Sequence, residues 1–209
     1  MFLIRKCQVS LVMKLNIRIA VITLCTLAAA ASGTTLQNLN TAYQGESNAA
    51  NRYQEFARKA DAENLKQAAK LFRAASASEE IHRKIVERAI LKMGGKIATF
   101  KLDEIPQAST ADNLRSAIKG EKAESAALYP DFLATARADN EKSAIRAFNY
   151  ALEAEKKHAE YFQLALDRIG AELPLTCYLC KDCGLLLTKL PAKKCPVCRE
   201  GLKEFKIIN

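Results

Sequence analysis

Glu155-Lys156-Lys157-His158 and Glu79-Glu80-Ile81-His82 contain the only two histidines of this 209-residue chain. On an α-helix, residues three apart lie on one face about one turn apart, so each stretch directs a carboxylate and an imidazole toward one point. A single Glu-x-x-His step is commonly a solvated surface pair. Because the step occurs around both histidines, it predicts two pairs of metal ligands.

Two further carboxylates lie at similar distances upstream. Glu46 precedes Glu79 by 33 residues, and Glu124 precedes Glu155 by 31. Each interval accommodates one helix, a connection and part of the next helix. Ferritin-like di-iron bundles use one Glu from each of two helices and a Glu-x-x-His from each of the other two. The internal repeat therefore predicts an all-α, ferritin-like four-helix bundle with two metal ions.

Apolar residues spaced by three, four and seven predict the first two helices. The first extends from Thr35 to about Ala60 and the second from Asn64 to Met93, where Gly94-Gly95 provides a cap. Residues 96–109 have little periodicity and exceed an ordinary hairpin connection. They can cross the bundle, which permits the third helix to run parallel to the second.

The third and fourth helices are predicted from similar signals. Ser109 or Thr110 caps the third helix, and a kink is expected at Pro130. The fourth helix is expected to begin at Asp139 or Asn140 and to end at Gly170.

After Pro174 the composition changes to a cysteine-rich segment. Two Cys-x-x-Cys pairs, Cys180/Cys183 and Cys195/Cys198, are separated by 11 residues and predict a tetrahedral four-thiolate site. Cys177 competes for the first pair, but Gly184 directly after Cys183 favours Cys180 with Cys183. The 36 residues from Pro174 onward are too few for a hydrophobic core, so metal binding supplies folding energy.

The spacing of the cysteines does not distinguish zinc from iron, since both metals accept tetrahedral thiolate ligands. A structural zinc ribbon is therefore one interpretation of this segment. A redox-active iron site is the other.

Residues 1–33 have the composition of a secretory signal peptide: basic residues up to Arg18, an apolar stretch Ile19 to Ala31, and small residues at the end. The apolar stretch is too short to cross a bilayer. We expect cleavage near Ala31 and export, giving a periplasmic protein. The alternatives are an N-terminal helix that packs on the bundle, or a misassigned start, with a cytoplasmic protein.

The net charge of +9 is concentrated at the two ends of the chain. Four basic residues lie before residue 19, and residues 174–209 have seven Lys/Arg against three Asp/Glu. The bundle is nearly neutral and has no basic stripe interleaved with aromatic residues. This pattern argues against a nucleic-acid partner.

From about Thr35 to the C-terminus the chain resembles rubrerythrins. The shared motifs are Gly45-Glu46-Ser47 with Asn51-Arg52-Tyr53, the two Glu-x-x-His steps, Gly120-Glu121-x-x-Glu124 with Tyr129-Pro130, and the two cysteine pairs. The resemblance implies a di-iron bundle at residues 34–172 and a rubredoxin-like Fe(Cys)4 domain at residues 173–209. It thereby favours iron over zinc at the cysteines.

The resemblance also implies roles for individual residues. The expected di-iron ligands, which are also the expected catalytic residues, are Glu46, Glu79, His82, Glu121, Glu124, Glu155 and His158. The expected ligands of the thiolate site are Cys180, Cys183, Cys195 and Cys198. His82 and Glu124 are expected to alternate as ligands when the oxidation state changes. Tyr53 and Tyr129 match tyrosines near the site, although each is equally consistent with a core aromatic residue.

The resemblance implies a peroxidase that reduces hydrogen peroxide in oxidative stress defence, with electrons relayed through Fe(Cys)4. An unidentified rubredoxin-like protein or reductase would supply the electrons. The alternative is ferritin-like oxidation and sequestration of iron, which needs no thiolate relay. A bundle with a structural zinc ribbon is a third interpretation.

We also expect a homodimer in which the Fe(Cys)4 domain of one chain serves the di-iron site of the other. Glu155 and Gly170 are separated by 15 residues, or about 22 Å of helix. The short connection from Ala171 to Thr176 is expected to leave the small domain little freedom to fold back along its own bundle.

Overall fold

The computed structural model describes residues 33–171 and 175–208, so the predicted signal peptide lies outside the described residues. The predicted four-helix bundle is confirmed, with the third helix divided in two. Its helices are α1 (Thr35–Ala62), α2 (Lys66–Lys92), α3 (Thr110–Ala123), α4 (Tyr129–Ala138) and α5 (Lys142–Asp167). A π-helix, Glu124–Leu128, joins α3 to α4. Within the described ranges, no helix is both long and apolar enough to cross a membrane.

Side chains cap the starts of α1, at Thr34, and of α3, at Ser109. The Ser109 hydroxyl accepts a hydrogen bond from the Asp112 amide and caps α3. The start predicted for the last helix, Asp139 or Asn140, is wrong by two to three residues. Asp139 instead ends α4, and Asn140 adopts a left-handed backbone with φ of 54° in the turn before α5.

Contacts between helix ends establish the direction of the third helix. The Thr35 hydroxyl at the start of α1 donates to Asp139 at the end of α4, at 2.6 Å. The Thr110 amide at the start of α3 donates to Glu63, just after α1, at 3.0 Å. The segment formed by α3, the π-helix and α4 is thus antiparallel to α1 and parallel to α2, as the long crossover predicted.

The expected irregularity near Pro130 is present as the π-helix rather than as a simple kink. Pro130 lies in the first turn of α4, directly after Glu124–Leu128. Proline has no N–H, and its ring clashes with the carbonyl four residues earlier, so the preceding turn widens. The widened turn begins at Glu124, so the irregularity that Pro130 causes lies beside the candidate site.

Residues 177–208 form a three-stranded antiparallel sheet in the order β2-β1-β3. Its strands are β1 (Cys177–Cys180), β2 (Leu186–Leu187) and β3 (Phe205–Ile208), with Tyr178 opposite Leu187 and Cys180 opposite Phe205. Such a small sheet has little core of its own. Cys177 and Leu179 instead pack into the core of the bundle.

The small domain lies against the bundle of its own chain, and the expected homodimer, in which it would serve a partner chain, stays a prediction. The Ser78 hydroxyl on α2 donates to the carbonyl of Gly184 at 2.5 Å.

Candidate metal centre

Six side chains converge in two overlapping groups inside the bundle. The first group is Glu46, Glu79, His82 and Glu155, and the second is Glu79, Glu121, Glu155 and His158. The candidate ligand atoms within each group lie within 4.8 Å of one another, and all six residues are buried. Because Glu79 and Glu155 belong to both groups, they can contact both metal ions of a pair.

Helix periodicity brings these residues together from four helices. Glu46 comes from α1, Glu79 and His82 from α2, Glu121 from α3, and Glu155 with His158 from α5. Each Glu-x-x-His step places both side chains on the inward face of its helix, as the spacing predicted. Aromatic layers close the space on either side of the carboxylates. They contain Tyr53, Phe72 and Phe162 on one side and Tyr129, Phe132 and Phe148 on the other.

Both imidazoles direct Nδ1 toward the carboxylates. His82 Nδ1 lies 2.9 Å from Glu79 and 3.5 Å from Glu155, while His158 Nδ1 lies 2.8 Å from Glu155 and 3.0 Å from Glu79. Among the residues that the structure describes, the opposite nitrogen, Nε2, has no hydrogen-bond partner in either ring. Nδ1 is therefore the ligand atom that each histidine offers.

Burial of several carboxylates in one small volume dominates the electrostatics. Desolvation raises the pKa of Glu155 well above its usual value, and the neighbouring Glu79 and Glu121 raise it further. Burial also acts to raise the pKa of Glu79, but contacts with His158 and His82 outweigh it and lower that pKa to about 2. The site therefore places four buried carboxyl groups against two histidines, which are too few to balance four carboxylates.

These residues fit a pair of divalent iron ions. Buried oxygens of Glu79, Glu121 and Glu155 have no hydrogen-bond partner among the described residues. A buried anion without a partner is costly, and a metal ion removes that cost. Carboxylate oxygen with imidazole nitrogen is the donor set of di-iron bundles.

Two tyrosines hold the outer carboxylates. The Tyr53 hydroxyl donates to Glu121, and the Tyr129 hydroxyl donates to Glu46. Burial, followed by the nearby carboxylates, raises the pKa of both phenols well above the usual value. Both phenols therefore keep their protons, and these contacts distinguish a site role from that of a simple core aromatic.

Glu124 is the one predicted di-iron ligand outside the two groups. It is half-buried at the start of the π-helix. Burial raises its pKa well above the usual value, and the nearby Glu121 and Glu46 raise it further. His82 thus belongs to a candidate ligand group and Glu124 to neither, which is one of the two arrangements expected to alternate.

The four predicted thiolates also converge. Cys180, Cys183, Cys195 and Cys198 form one candidate metal group, with Sγ separations of 3.6 Å for Cys180 to Cys198 and for Cys183 to Cys195. The neighbouring Cys180 and Cys183 thiols lower the pKa of Cys195 to about 2. Cys177 is buried outside this group, where desolvation raises its pKa.

The contact between the two centres was not anticipated from the sequence. Gly184, next to Cys183, lies so close to His82 that a β-carbon at position 184 would come within 2.4 Å of Nε2. The one sequence feature that could have indicated this contact is Gly184 after the first cysteine pair. By itself, a glycine there indicates only that the local turn requires one. Its φ of +80° supports that requirement as well.

Comparisons with known proteins agree with this geometry. Residues 37–166 match the Rubrerythrin family model. The chain is 36% identical to Rubrerythrin-2 of Clostridium acetobutylicum over 80% of this chain and 92% of that protein. It is 34% identical to Nigerythrin of Nitratidesulfovibrio vulgaris over 80% of this chain and 83% of the relative.

Solved structures give the same result. Mixed-valence nigerythrin matches with a TM-score of 0.76 and 30% identity, covering 87% of this chain and 90% of that one. The fully reduced, all-ferrous form matches with the same TM-score and identity, covering 93% and 100%. With its glutamate and histidine site for two irons and its four-cysteine site for a third, this chain belongs to the rubrerythrin family.

Proposed function

We propose that the protein is a peroxidase that reduces hydrogen peroxide to water in oxidative stress defence. Membership of the rubrerythrin family supports an oxidoreductase, and proteins of that family are generally di-iron peroxidases or oxidative stress proteins. When bound, two ferrous ions would supply the two electrons that, with two protons, convert one hydrogen peroxide into two waters, and an iron held by the four cysteines would return electrons one at a time.

The protein residues hold and orient the reacting centre. Glu79 and Glu155 belong to both candidate ligand groups and would hold both metal ions, whereas Glu46 and Glu121 each belong to one group. Tyr129 and Tyr53 hold these two outer carboxylates by hydrogen bonds and keep their own protons on Oη. The aromatic layers exclude bulk water, which strengthens each charge interaction inside the site.

One observation supports this proposal most strongly: the thiolate domain lies directly beside a predicted di-iron ligand. Gly184 follows Cys183 in the chain and contacts the His82 ring. Electron transfer between the two centres needs such proximity. Iron storage does not, so this contact favours the peroxidase over ferritin-like oxidation and sequestration of iron, which is the second candidate.

Stopped-flow spectroscopy tests the proposal. The iron-loaded, fully reduced protein is mixed with hydrogen peroxide while the visible absorption of ferric Fe(Cys)4 is followed. We expect this band to appear at a rate that depends on peroxide and on an intact di-iron site. A His158→Ala variant should retain the thiolate iron but lose the rapid phase. Equal rates in both proteins would contradict the proposal, and uptake of added ferrous iron into a mineral would favour sequestration.

Two further proposals concern surroundings and assembly. We propose that the protein is exported, and the support is the basic and apolar pattern of residues 1–33. A homodimer also stays a proposal. It is not needed to bring the centres together, because Ser78 and Gly184 already join them within one chain.

A further inference from the structure

A basic surface surrounds the junction between α5 and the thiolate domain. Two adjoining hollows open there and share Lys142, Arg146 and Tyr150. The larger, a groove of about 710 Å³, lies between α5, the segment after the first cysteine pair and the two residues inside the second pair. The smaller continues along α2 to Arg88 and Lys92. We call this surface the basic groove.

The charges of the basic groove are unbalanced. Arg88, Lys92, Lys142 and Arg146 are all exposed, and among the described residues none of the four has an acidic partner within 4 Å. Lys157 adds a fifth cation but already pairs with Glu160 at 2.6 Å. Only Glu153 and Asp182 contribute negative charge to the lining, and Glu153 already pairs with Lys156.

The basic groove also reaches the exposed side of the four-thiolate site. Val197, which lines the groove, lies between Cys195 and Cys198, and Cys198 is the one ligand cysteine that is half-buried rather than buried. Tyr150 packs against the cysteine cluster from α5. Leu185, Leu187 and Pro196 give the groove an apolar floor. A molecule seated there would lie within a few side chains of the thiolate iron.

We propose that the basic groove is the docking surface for an acidic one-electron carrier protein that reduces the Fe(Cys)4 centre. This rests on the proposed function. The carrier loses one electron and the ferric thiolate iron gains it, without proton or atom transfer. Two such encounters supply the two electrons that one hydrogen peroxide consumes.

Charge complementarity identifies the partner. Unpaired cations around an apolar floor attract an acidic surface, and such steering raises association rates by roughly 10 to 1,000 fold at low salt. Electron-transfer encounters use small interfaces, which suits an open groove. The same cations would attract a nucleic acid or an anionic membrane, but neither exchanges electrons with the adjacent thiolate iron.

The test compares two double charge reversals of equal charge change and equal helical spacing. Lys142→Glu with Arg146→Glu alters the basic groove on α5. Arg115→Glu with Lys119→Glu is the matched control, four residues apart on α3. The probe is a reduced, strongly acidic rubredoxin, mixed with the iron-loaded full chain. Readouts are its dissociation constant and the rate of Fe(Cys)4 reduction, each at low and high salt.

We expect the groove variant to bind the probe at least 10-fold more weakly at low salt and to lose most of the salt dependence, while the control changes less than 2-fold. Equal losses in both variants would overturn the proposal, because net charge alone would then explain binding. Binding to vesicles rich in anionic lipid through the same cations, without binding to rubredoxin, would overturn it in favour of a membrane surface.

Failure of this inference is distinguishable from failure of the proposed function. With dithionite as the reductant, the groove variant should consume hydrogen peroxide as fast as the wild-type protein, since its metal sites are unchanged. Loss of peroxide reduction in the wild-type protein with dithionite would contradict the peroxidase itself, whatever the groove binds.

Discussion

Gly184 of the thiolate domain lies directly against the His82 imidazole of the bundle. A β-carbon at this glycine would come within 2.4 Å of His82 Nε2 and 2.6 Å of Cδ2, and within 3.2 Å of the Ser78 carbonyl oxygen. The Ser78 hydroxyl also donates to the Gly184 carbonyl. This contact between the two domains thus depends on the absence of a side chain at position 184.

Gly184→Ala should impair communication between the two centres. The substitution introduces strain at φ of +80° and a clash with the His82 ring. We expect reduction of the di-iron site by the thiolate iron to slow at least 10-fold, measured by stopped-flow absorption. Gly170→Ala is the matched control, since it has the same φ but no atom within 4 Å. Equal slowing in both variants would show that backbone strain is responsible.

His82→Ala should retain two irons but turn over peroxide slowly. His82 belongs to one ligand group only, and Glu124 remains available beside that group. We expect near-normal iron content by metal analysis, with at least 10-fold slower peroxide consumption. Loss of most di-iron in this variant would show that His82 is a permanent ligand.

Cys177→Ser should leave the thiolate iron intact, and Cys180→Ser should abolish its visible absorption. Cys177 is buried in the core of the bundle rather than in the cysteine cluster. A serine hydroxyl in this apolar core would be buried without a hydrogen bond. We therefore expect the free energy of unfolding to fall by about 1 to 3 kcal/mol. The reverse spectral result would assign Cys177 and Cys180 to the first pair.

Glu63→Gln should reduce the acid sensitivity of the bundle. Hydrogen bonds from Thr110 and Lys59 lower the pKa of Glu63 to about 2. Because the folded pKa lies below the unfolded one, this stabilisation is present above about pH 4.5 and is lost as the pH falls toward 2. Glu63 is exposed, so screening keeps the effect below about 1 kcal/mol.

Chemical unfolding of the wild-type protein and Glu63→Gln at pH 7 and pH 3.5 measures this effect. Iron release at low pH is common to both proteins and cancels in the comparison. The stability difference between them should shrink as the pH falls. If the difference in the free energy of unfolding does not depend on pH, Glu63 acts through its packing and hydrogen bonds rather than through its charge.

Mixing defective chains tests whether electrons pass within one chain. Chains with Cys180→Ser lack the thiolate site, and chains with His158→Ala lack a di-iron ligand. Because Gly184 contacts His82 of its own chain, we expect mixed samples to recover little peroxidase activity. Recovery to near half of the wild-type activity after proven subunit exchange would show that the small domain of one chain serves the di-iron site of the other.

The sequence alone determined the four-helix architecture and the inward residues of the bundle. Helical periodicity is local, so a Glu-x-x-His step specifies which side chains share a face before any packing is known. The two cysteine pairs are equally local, since short Cys-x-x-Cys turns present sulfurs to one point. Ser109 as a cap and the irregularity before Pro130 followed from single-residue chemistry.

Only the tertiary structure decided how the pieces meet. His82 lies in a candidate ligand group and Glu124 lies outside both, at the start of the π-helix before Pro130, an arrangement that helical periodicity does not predict. The position of the thiolate domain depends on the packing of Cys177 and Leu179 into the bundle and on the bond from Ser78 to Gly184. These contacts join residues about a hundred positions apart in the chain. Neither local propensity nor motif spacing predicts that such distant residues lie close together.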